Sequence, residues 1–372
     1  MIRPLFDGRL RAIERFMARP EDVQRGVLER LVGRAAPTRW GERYGYARMR
    51  SYEDFAARVP LSTYEELKAD IDLMRHGEAG VLWPGRVRWY AKSSGTTNDK
   101  SKFIPVSRDG LHDTHYAGGR DAVALYLHNH PRSRLFDGRA LILGGSHAPN
   151  YNLPHSLVGD LSAILIENIN PLVNLVRVPS KSTALLADFE QKRDRIAREA
   201  ARCNVTNLSG VPSWMMSVLH RVLEVTGRRT INEVWPHLEV FFHGGVAFTP
   251  YREQYRRLIP SDTMHYMETY NASEGFFGLQ DDPADPAMLL MLDYGVFYEF
   301  IPLEDVGTEH PRVLPLWAVE TGRNYAMVIS TSCGLWRYEI GDTVRFTHTS
   351  PYKFVITGRT KSFINAFGEE LI

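Results

Sequence analysis

The chain has 372 residues, and its 45 lysine and arginine residues almost balance its 44 aspartate and glutamate residues, giving a net charge of +1. This balance excludes the strongly basic surface that binding to nucleic acid or to an anionic membrane requires. The two cysteines, Cys203 and Cys333, lie outside any CxxC pair, which argues against a disulfide framework and a structural zinc site. Without a signal-peptide core or an apolar run of about 18 residues, the sequence predicts a cytoplasmic protein with no membrane partner.

The N-terminal part of the chain has the pattern of amphipathic helices. In residues 9–33, apolar side chains recur at helical spacing with charged residues between them, and Pro20 separates two helices. Residues 51–78 show the same pattern, with Ser51 and Ser62 as candidate helix caps. We therefore expect a helical N-terminal segment.

Beyond residue 80, short β-rich runs alternate with helical stretches at 183–202 and 213–226. The runs are RALILGG, LEVFFHGG, GVFYEFIP, NYAMVIST and YKFVITG. This alternation predicts an α/β fold in which helices and sheets are layered.

The segment SSGTTNDKSK, residues 93–102, combines the features of a phosphate-binding loop. Its glycine lets backbone amides approach a ligand, and hydroxyl and ammonium groups surround that glycine. The residues concerned are Ser93, Ser94, Gly95, Thr96, Thr97, Lys100 and Lys102. The spacing differs from GxxxxGK[ST], which excludes the mononucleotide P-loop. A polar surface turn is the alternative for this segment.

Two further segments place glycine or polar residues after β-rich runs. Gly244 and Gly245 follow LEVFFH, at the position where open α/β sheets bind ligands, with a simple tight turn as the alternative. His243, just before them, either lines such a site or packs in the core. In MHYMETYNASEGFFG, Glu274 offers carboxylate oxygens suited to magnesium, and a helix-capping pair with Ser273 is the alternative.

Asp342 and Arg359 each follow a glycine where a strand is expected to break or end. In GLWRYEIGDTVRF, the Asp342 carboxylate is suited to accept both hydroxyls of a ribose, and a β-turn aspartate is the alternative. Arg359 stands in the same position in GRTKSFI. Taken singly, none of these segments decides between ligand binding and a structural role.

In their order along the chain, these segments resemble the motifs of the adenylate-forming enzymes, which activate carboxylates with ATP. The likeness is closer to the acyl acid amido synthetase branch, the auxin-responsive-promoter or Gretchen Hagen family. It is carried by SSGTTNDKSKFIP, GVPSWMMSVL, TYNASEGFFG, GVFYEFIP and LWRYEIGD. The resemblance implies a large N-terminal adenylate-forming domain built from layered α/β subdomains.

The resemblance also implies a role for each matching residue. The loop over the ATP phosphates corresponds to Ser93, Ser94, Thr96 and Thr97, with Lys102 at its basic, catalytic position. The turn against the adenine corresponds to Gly244 and Gly245, and the segment beside the adenine and α-phosphate to Tyr270, Asn271 and Ser273. The magnesium-linked catalytic position corresponds to Glu274, and the ribose contacts to Asp342 and Arg359.

The chain departs from the family pattern at two places. Asn98 and Asp99 stand where many members have a second glycine in the phosphate loop. The segment GRTKSFINAFG resembles the family hinge, with Lys361 near the pivot. The resemblance implies a small C-terminal domain after the hinge, which we expect to be missing here, either because the sequence is truncated or because the chain is an adenylation core. We therefore expect an adenylation domain at residues 1–358, and a hinge with the start of the absent domain at residues 359–372.

The implied activity is that of an ATP- and magnesium-dependent ligase acting on a small carboxylic acid and an amino acid. Such an enzyme needs positioned charges rather than a covalent nucleophile, in keeping with a sequence that has no GxSxG or HExxH motif. Trp214 and Met215 are candidates for the wall of the acyl pocket, with core packing as the alternative. Transfer to the thiol of CoA or a carrier protein, and a non-catalytic nucleotide-binding protein, are the other hypotheses.

Overall fold

The computed structural model describes residues 4–93 and 101–360. Five helices form the N-terminal segment, and the others are interspersed with strands. The helices are α1 (Pro4–Ala18), α2 (Pro20–Ala35), α3 (Arg39–Tyr44), α4 (Tyr52–Arg58), α5 (Tyr64–Arg75), α6 (Ala117–Asn129), α7 (Leu161–Asn168), α8 (Lys181–Ala184), α9 (Phe189–Ala200), α10 (Pro212–Thr226), α11 (Ile231–Val234) and α12 (Arg252–Leu258). In the part of the chain that is described, no helix is both long enough and apolar enough to cross a bilayer.

The strands form one small and one large sheet. They are β1 (Trp89–Ser93), β2 (Lys102–Val106), β3 (Arg139–Ile142), β4 (Leu157–Gly159), β5 (Arg177–Val178), β6 (Val205–Gly210), β7 (Val240–Gly244), β8 (His265–Ala272), β9 (Gly275–Leu279), β10 (Met288–Leu290), β11 (Val296–Pro302), β12 (Leu314–Pro315), β13 (Asn324–Thr331), β14 (Tyr338–Thr349) and β15 (Tyr352–Arg359). The α/β class predicted from the sequence is confirmed.

The large sheet is parallel in one half and antiparallel in the other. Its strand order is β12-β11-β13-β14-β15-β10-β9-β8-β7-β6-β3-β5, and the small sheet has the order β2-β1-β4. Strands β5, β3, β6, β7 and β8 are parallel, whereas β8 pairs antiparallel with β9. The carboxyl ends of β3, β6, β7 and β8 therefore meet at one edge, where open α/β sheets bind ligands.

Among the described residues, the two larger hydrophobic cores pack helices against the sheet. The first joins the N-terminal helices to the antiparallel half, and in it Phe55 of α4 lies against Phe297 of β11 and Trp336, with ring centroids 6.2 and 6.5 Å apart. The second packs α9, α10 and α12 against β3, β6 and β7. Each fully buried side chain of this size contributes about 1.5–3 kcal/mol by leaving water.

A buried ion pair fastens the N-terminal helices to the sheet. The Arg337 guanidinium donates two hydrogen bonds of 3.0 Å to the Glu299 carboxylate, and it also donates to the carbonyl oxygens of Ala56 and Val59 at 3.0 and 2.8 Å. Arg337 has a φ of 43°, a left-handed conformation that is rare for a residue other than glycine. Such a conformation persists only where its surroundings fix it, as these four hydrogen bonds do.

The helix predictions are confirmed in outline and corrected in detail. The two helices separated by Pro20 are present, and the Ser51 side chain accepts a hydrogen bond from the Asp54 amide at 3.2 Å as a cap. Ser62 does not cap α5, because its hydroxyl donates to the Trp336 carbonyl at 2.7 Å. Thr63 takes that position instead. The helix predicted at 183–202 is divided into α8 and α9, whereas α10 matches its prediction.

Candidate active site

A cavity of about 1100 Å³ lies beside the carboxyl ends of β7 and β8 and along β14 and β15. It brings together segments that are up to 266 residues apart in the sequence, from Ser93 at the end of β1 to Arg359 at the end of β15. The predicted site residues that line it are Ser93, Gly245, Tyr270, Asn271, Ser273, Glu274, Asp342 and Arg359. Gly244 ends β7, directly before Gly245.

Asp342 is held between two neighbours inside the cavity. The Tyr270 hydroxyl donates to one carboxylate oxygen at 2.5 Å, and an Arg359 guanidinium nitrogen lies 3.1 Å from the other. Asp342 and Arg359 are paired residues of β14 and β15. Gly341, with a φ of 86°, is part of a bulge within β14, so Asp342 stands inside a continuous strand and not at the strand break expected from the sequence. The carboxylate oxygens keep lone pairs that suit two neighbouring hydroxyl donors.

Glu274 is a buried carboxyl group in the turn between β8 and β9. The structure therefore rules out a helix cap for Ser273 and Glu274, because they connect two strands of a hairpin. Burial raises the pKa of Glu274 to about 7, against the opposing effect of the nearby Lys102 charge. A cation that enters with the ligand would stabilise the charged form of this buried carboxyl group.

The side chains around Glu274 decide whether the predicted magnesium ion could bind there. Within the described ranges no group of three or more His, Cys, Asp and Glu side chains could hold a metal ion. Magnesium commonly binds through one or two carboxylates together with phosphate oxygens of a substrate. The buried Glu274 carboxylate therefore fits magnesium that arrives with a nucleotide.

The glycine pair after β7 allows a close approach between β7 and β8. A side chain at Gly244 would place its Cβ atom 2.3 Å from the Thr269 carbonyl oxygen, and Gly245 has a φ of 84°. Both positions therefore require glycine, and the second one turns the chain into the cavity wall. The sequence left open whether His243 packs in the core or lines the site, and it does both. Its ring is buried and stacks on Phe248 with the ring centroids 4.2 Å apart, and the residue also lines the cavity. Burial lowers its pKa to about 3, so the imidazole is neutral.

The sequence analysis missed several polar residues of the cavity. The Tyr266 hydroxyl is buried and, like Nδ1 of His243, which the sequence did single out, finds no hydrogen-bond partner among the described residues. Burial also raises the pKa of Glu268, which lines the same cavity. Tyr266, Glu268 and Tyr270 alternate along β8, so a period of two starting from Tyr270 was the signal that could have found them.

Both flanks of the predicted phosphate loop are fixed near the cavity. Ser93 and Lys102 are partners in the antiparallel pair of β1 and β2, and the Lys102 charge acts on Glu274. Ser94, Thr96, Thr97 and the departures Asn98 and Asp99 lie outside the described residues, as does Lys361.

The two candidates for the acyl pocket lie elsewhere. Met215 is fully buried in the second core, and Trp214 is 41% exposed with its ring against Phe189 at 4.9 Å. Neither residue lines the cavity. Because α10 already begins at Pro212, its first turn directs Met215 into the core, and the geometry gives this prediction no support.

The architecture is that of the adenylate-forming enzymes. The structure superimposes on that of a 2-hydroxyisobutyryl-CoA ligase in complex with 2-HIB-AMP and CoA, with a TM-score of 0.59 and 13% identity, over 92% of this chain and 69% of the ligase. It superimposes better on the GH3.15 acyl acid amido synthetase in complex with 2,4-DB, with a TM-score of 0.79 and 18% identity, over 94% of this chain and 70% of that chain.

Within that class, the chain belongs to the GH3 family, which is the Gretchen Hagen family that the motifs resemble. The model of the GH3 family N-terminal domain matches residues 9–264, and that of the GH3 family central domain matches residues 289–359. An indole-3-acetic acid-amido synthetase, GH3.4 of Arabidopsis thaliana, is 22% identical over 93% of this chain and 68% of its own length. The chain thus spans about two thirds of this relative.

Proposed function

We propose that the protein activates a small carboxylic acid with ATP as an acyl adenylate and then joins the acyl group to the amine of an amino acid. The main support is the meeting of Tyr270, Glu274, Asp342 and Arg359 in one cavity of a GH3 family chain. The cavity lies at the edge of the parallel strands, where the fold class binds nucleotides.

The ATP molecule would lie along β8, from the glycine pair to the β8–β9 turn. We assign the ribose hydroxyls to Asp342, with Arg359 holding that carboxylate in place. The adenine would lie against Gly244 and Gly245. Tyr266 and Glu268 provide polar groups at the same wall for the edge of the base.

The phosphate end is assigned to the β8–β9 turn, which follows the carboxyl end of β8. Ser93 and Lys102, together with the predicted hydroxyl donors Ser94, Thr96 and Thr97, would neutralise the phosphate oxygens. Glu274 would hold magnesium, which supplies positive charge to the phosphates when bound. Lys102 and Glu274 are therefore the proposed catalytic residues.

The reaction divides into two substitutions. In the first, a carboxylate oxygen of the acid attacks the α-phosphorus atom of ATP, and pyrophosphate leaves with the electron pair. In the second, the amine of the amino acid attacks the acyl carbonyl, AMP leaves, and the amine loses a proton. The protein contributes orientation and charge neutralisation to both steps, which is the main source of catalysis where no covalent nucleophile acts.

The acid and the acceptor are proposed only as classes. The names of the relatives refer to indole-3-acetic acid, and the bound molecule of the GH3.15 structure is 2,4-DB. For this chain we propose an apolar or aromatic carboxylic acid and an amino acid, with a thiol acceptor as the alternative. The domain boundary near residue 358 and the cytoplasmic location stay predictions.

The test is carboxylate-dependent exchange of labelled pyrophosphate into ATP by the 372-residue chain, followed by product analysis with amino acids and with CoA. We expect exchange with at least one apolar or aromatic acid and an amide product with an amino acid. A thioester product would favour the alternative acceptor. ATP binding without exchange for any acid of a broad panel would indicate a non-catalytic nucleotide-binding protein.

A further inference from the structure

The Tyr270 hydroxyl makes a hydrogen bond that reaches across the large sheet. It donates to a carboxylate oxygen of Asp342 at 2.5 Å, although three strands, β15, β10 and β9, lie between β14 and β8 in the strand order. In a flat sheet β14 and β8 would be about 19 Å apart, because neighbouring strands are spaced by about 4.8 Å. The sheet therefore curls around the cavity, and Tyr270 and Asp342, which both line it, meet across the curve.

The ring of Tyr270 is held in place by two other aromatic rings. It packs edge-to-face on Phe277 of β9 and Phe354 of β15, with ring centroids 5.0 and 6.0 Å apart, and only 6% of the residue is exposed. Gly278, the partner of Tyr270 in β9, leaves room for this arrangement, since a Cβ atom there would lie 2.7 Å from the Phe354 ring. Because the ring is held in this way, its hydroxyl stays directed at Asp342.

The Asp342 carboxylate has a neighbour at each of its two oxygens. The Tyr270 hydroxyl donates to one oxygen, and an Arg359 guanidinium nitrogen lies 3.1 Å from the other. Burial, and then the charge of Asp342, raise the pKa of Tyr270, so the hydroxyl keeps its proton and remains the donor. These two contacts set the plane of the carboxylate. Since a carboxylate can accept about four hydrogen bonds, each oxygen retains the capacity to accept one from a ligand.

We propose that Tyr270 is a positioning residue that orients the Asp342 carboxylate toward both hydroxyls of a ribose, and that it thereby makes the protein select ribonucleotides over deoxyribonucleotides. This inference rests on the proposed function, in which Asp342 binds the ribose. A carboxylate that is oriented before the ligand arrives loses little freedom on binding. A ligand that lacks one hydroxyl leaves the corresponding acceptor unsatisfied, and a site built for that hydroxyl rejects it.

The test is calorimetric titration of the 372-residue chain with ATP, 2′-deoxy-ATP and 3′-deoxy-ATP in the presence of magnesium. It compares the parent with Tyr270→Phe and with the control Tyr294→Phe. Tyr294 is a matched residue, because its buried hydroxyl donates to a carboxylate oxygen of Asp121 at 2.7 Å. Neither Tyr294 nor Asp121 lines the cavity.

We expect the parent and Tyr294→Phe to bind ATP at least about tenfold more tightly than either deoxy analogue. Tyr270→Phe should bind ATP about tenfold more weakly than the parent, whereas its affinity for the deoxy analogues should change by less than about threefold, so that the selectivity is lost. Both substitutions remove a phenol-to-carboxylate hydrogen bond, and both should lower the melting temperature. A loss of stability alone therefore does not account for a change of selectivity in Tyr270→Phe only.

Every other outcome overturns either this inference or the proposed function. Unchanged selectivity in Tyr270→Phe, or an equal loss of selectivity in Tyr294→Phe, overturns the positioning role. Equal affinity of the parent for ATP and both deoxy analogues also overturns it, however the variants behave, and leaves the binding of ATP intact. A folded parent that binds none of the three nucleotides overturns the proposed function, and this inference falls with it.

Discussion

Replacement of Glu274 by glutamine is expected to slow carboxylate-dependent pyrophosphate exchange by about 100-fold or more. Glutamine keeps the shape of the side chain but removes the negative charge that we propose binds magnesium. Because burial already raises the pKa of Glu274 to about 7, the neutral amide is not expected to lower the melting temperature. The exchange rate at saturating ATP and magnesium, measured beside a thermal melt, checks both statements.

The matched control is Glu339→Gln. Glu339 is also a carboxyl group whose pKa is raised by burial, and it does not line the cavity. This variant should keep an exchange rate close to that of the parent. A Glu274→Gln enzyme within threefold of the parent would remove Glu274 from the catalytic site, and a large loss in both variants would indicate a general effect of lost charge.

Arg337→Met is expected to lower the free energy of unfolding by about 3–5 kcal/mol, the usual cost of breaking a buried ion pair from one side. The variant leaves the Glu299 carboxylate buried without its guanidinium and the carbonyl oxygens of Ala56 and Val59 without a donor. It therefore loosens the N-terminal helices from the sheet that carries Asp342. Urea unfolding of the parent and the variant measures the change.

Two further variants distinguish the effect of the buried Arg337–Glu299 pair from that of an exposed ion pair. Arg312→Met removes an exposed guanidinium that pairs with Glu304 and Asp305, and it should lower the free energy of unfolding far less than Arg337→Met does, because solvent screens exposed ion pairs. Adding Glu299→Gln to Arg337→Met should recover part of the loss, since no buried charge is then left unpaired. If Arg337→Met costs no more than Arg312→Met, the pair does not fasten the helices.

Local signals in the sequence were sufficient for the helical segment and for most strands. Pro20 and Ser51 act on their own neighbours in the chain, so the first helices and the α4 cap follow directly from spacing. Ser62 failed as a cap because its hydroxyl is used by Trp336, which is 274 residues away. No local pattern reveals such a contact.

The candidate site shows the same limit. Ordered motifs pointed to Tyr270 and Asp342, but only the fold shows that one donates to the other across 72 residues of sequence. Tyr266 and Glu268 were missed because their interest depends on burial, on missing partners and on neighbouring charge. Those properties arise when separate strands pack together, and residue type and spacing do not encode them.

The central claim is that this cavity binds ATP through Asp342, and calorimetric titration of the 372-residue chain with ATP and magnesium tests it most directly. The account predicts binding by the parent and at least about tenfold weaker binding by Asp342→Ala, a loss of about 1.4 kcal/mol. The exposed control Asp262→Ala, outside the cavity, should bind like the parent. A folded parent that binds no ATP, or an Asp342→Ala variant that binds as tightly as the parent, would contradict the claim.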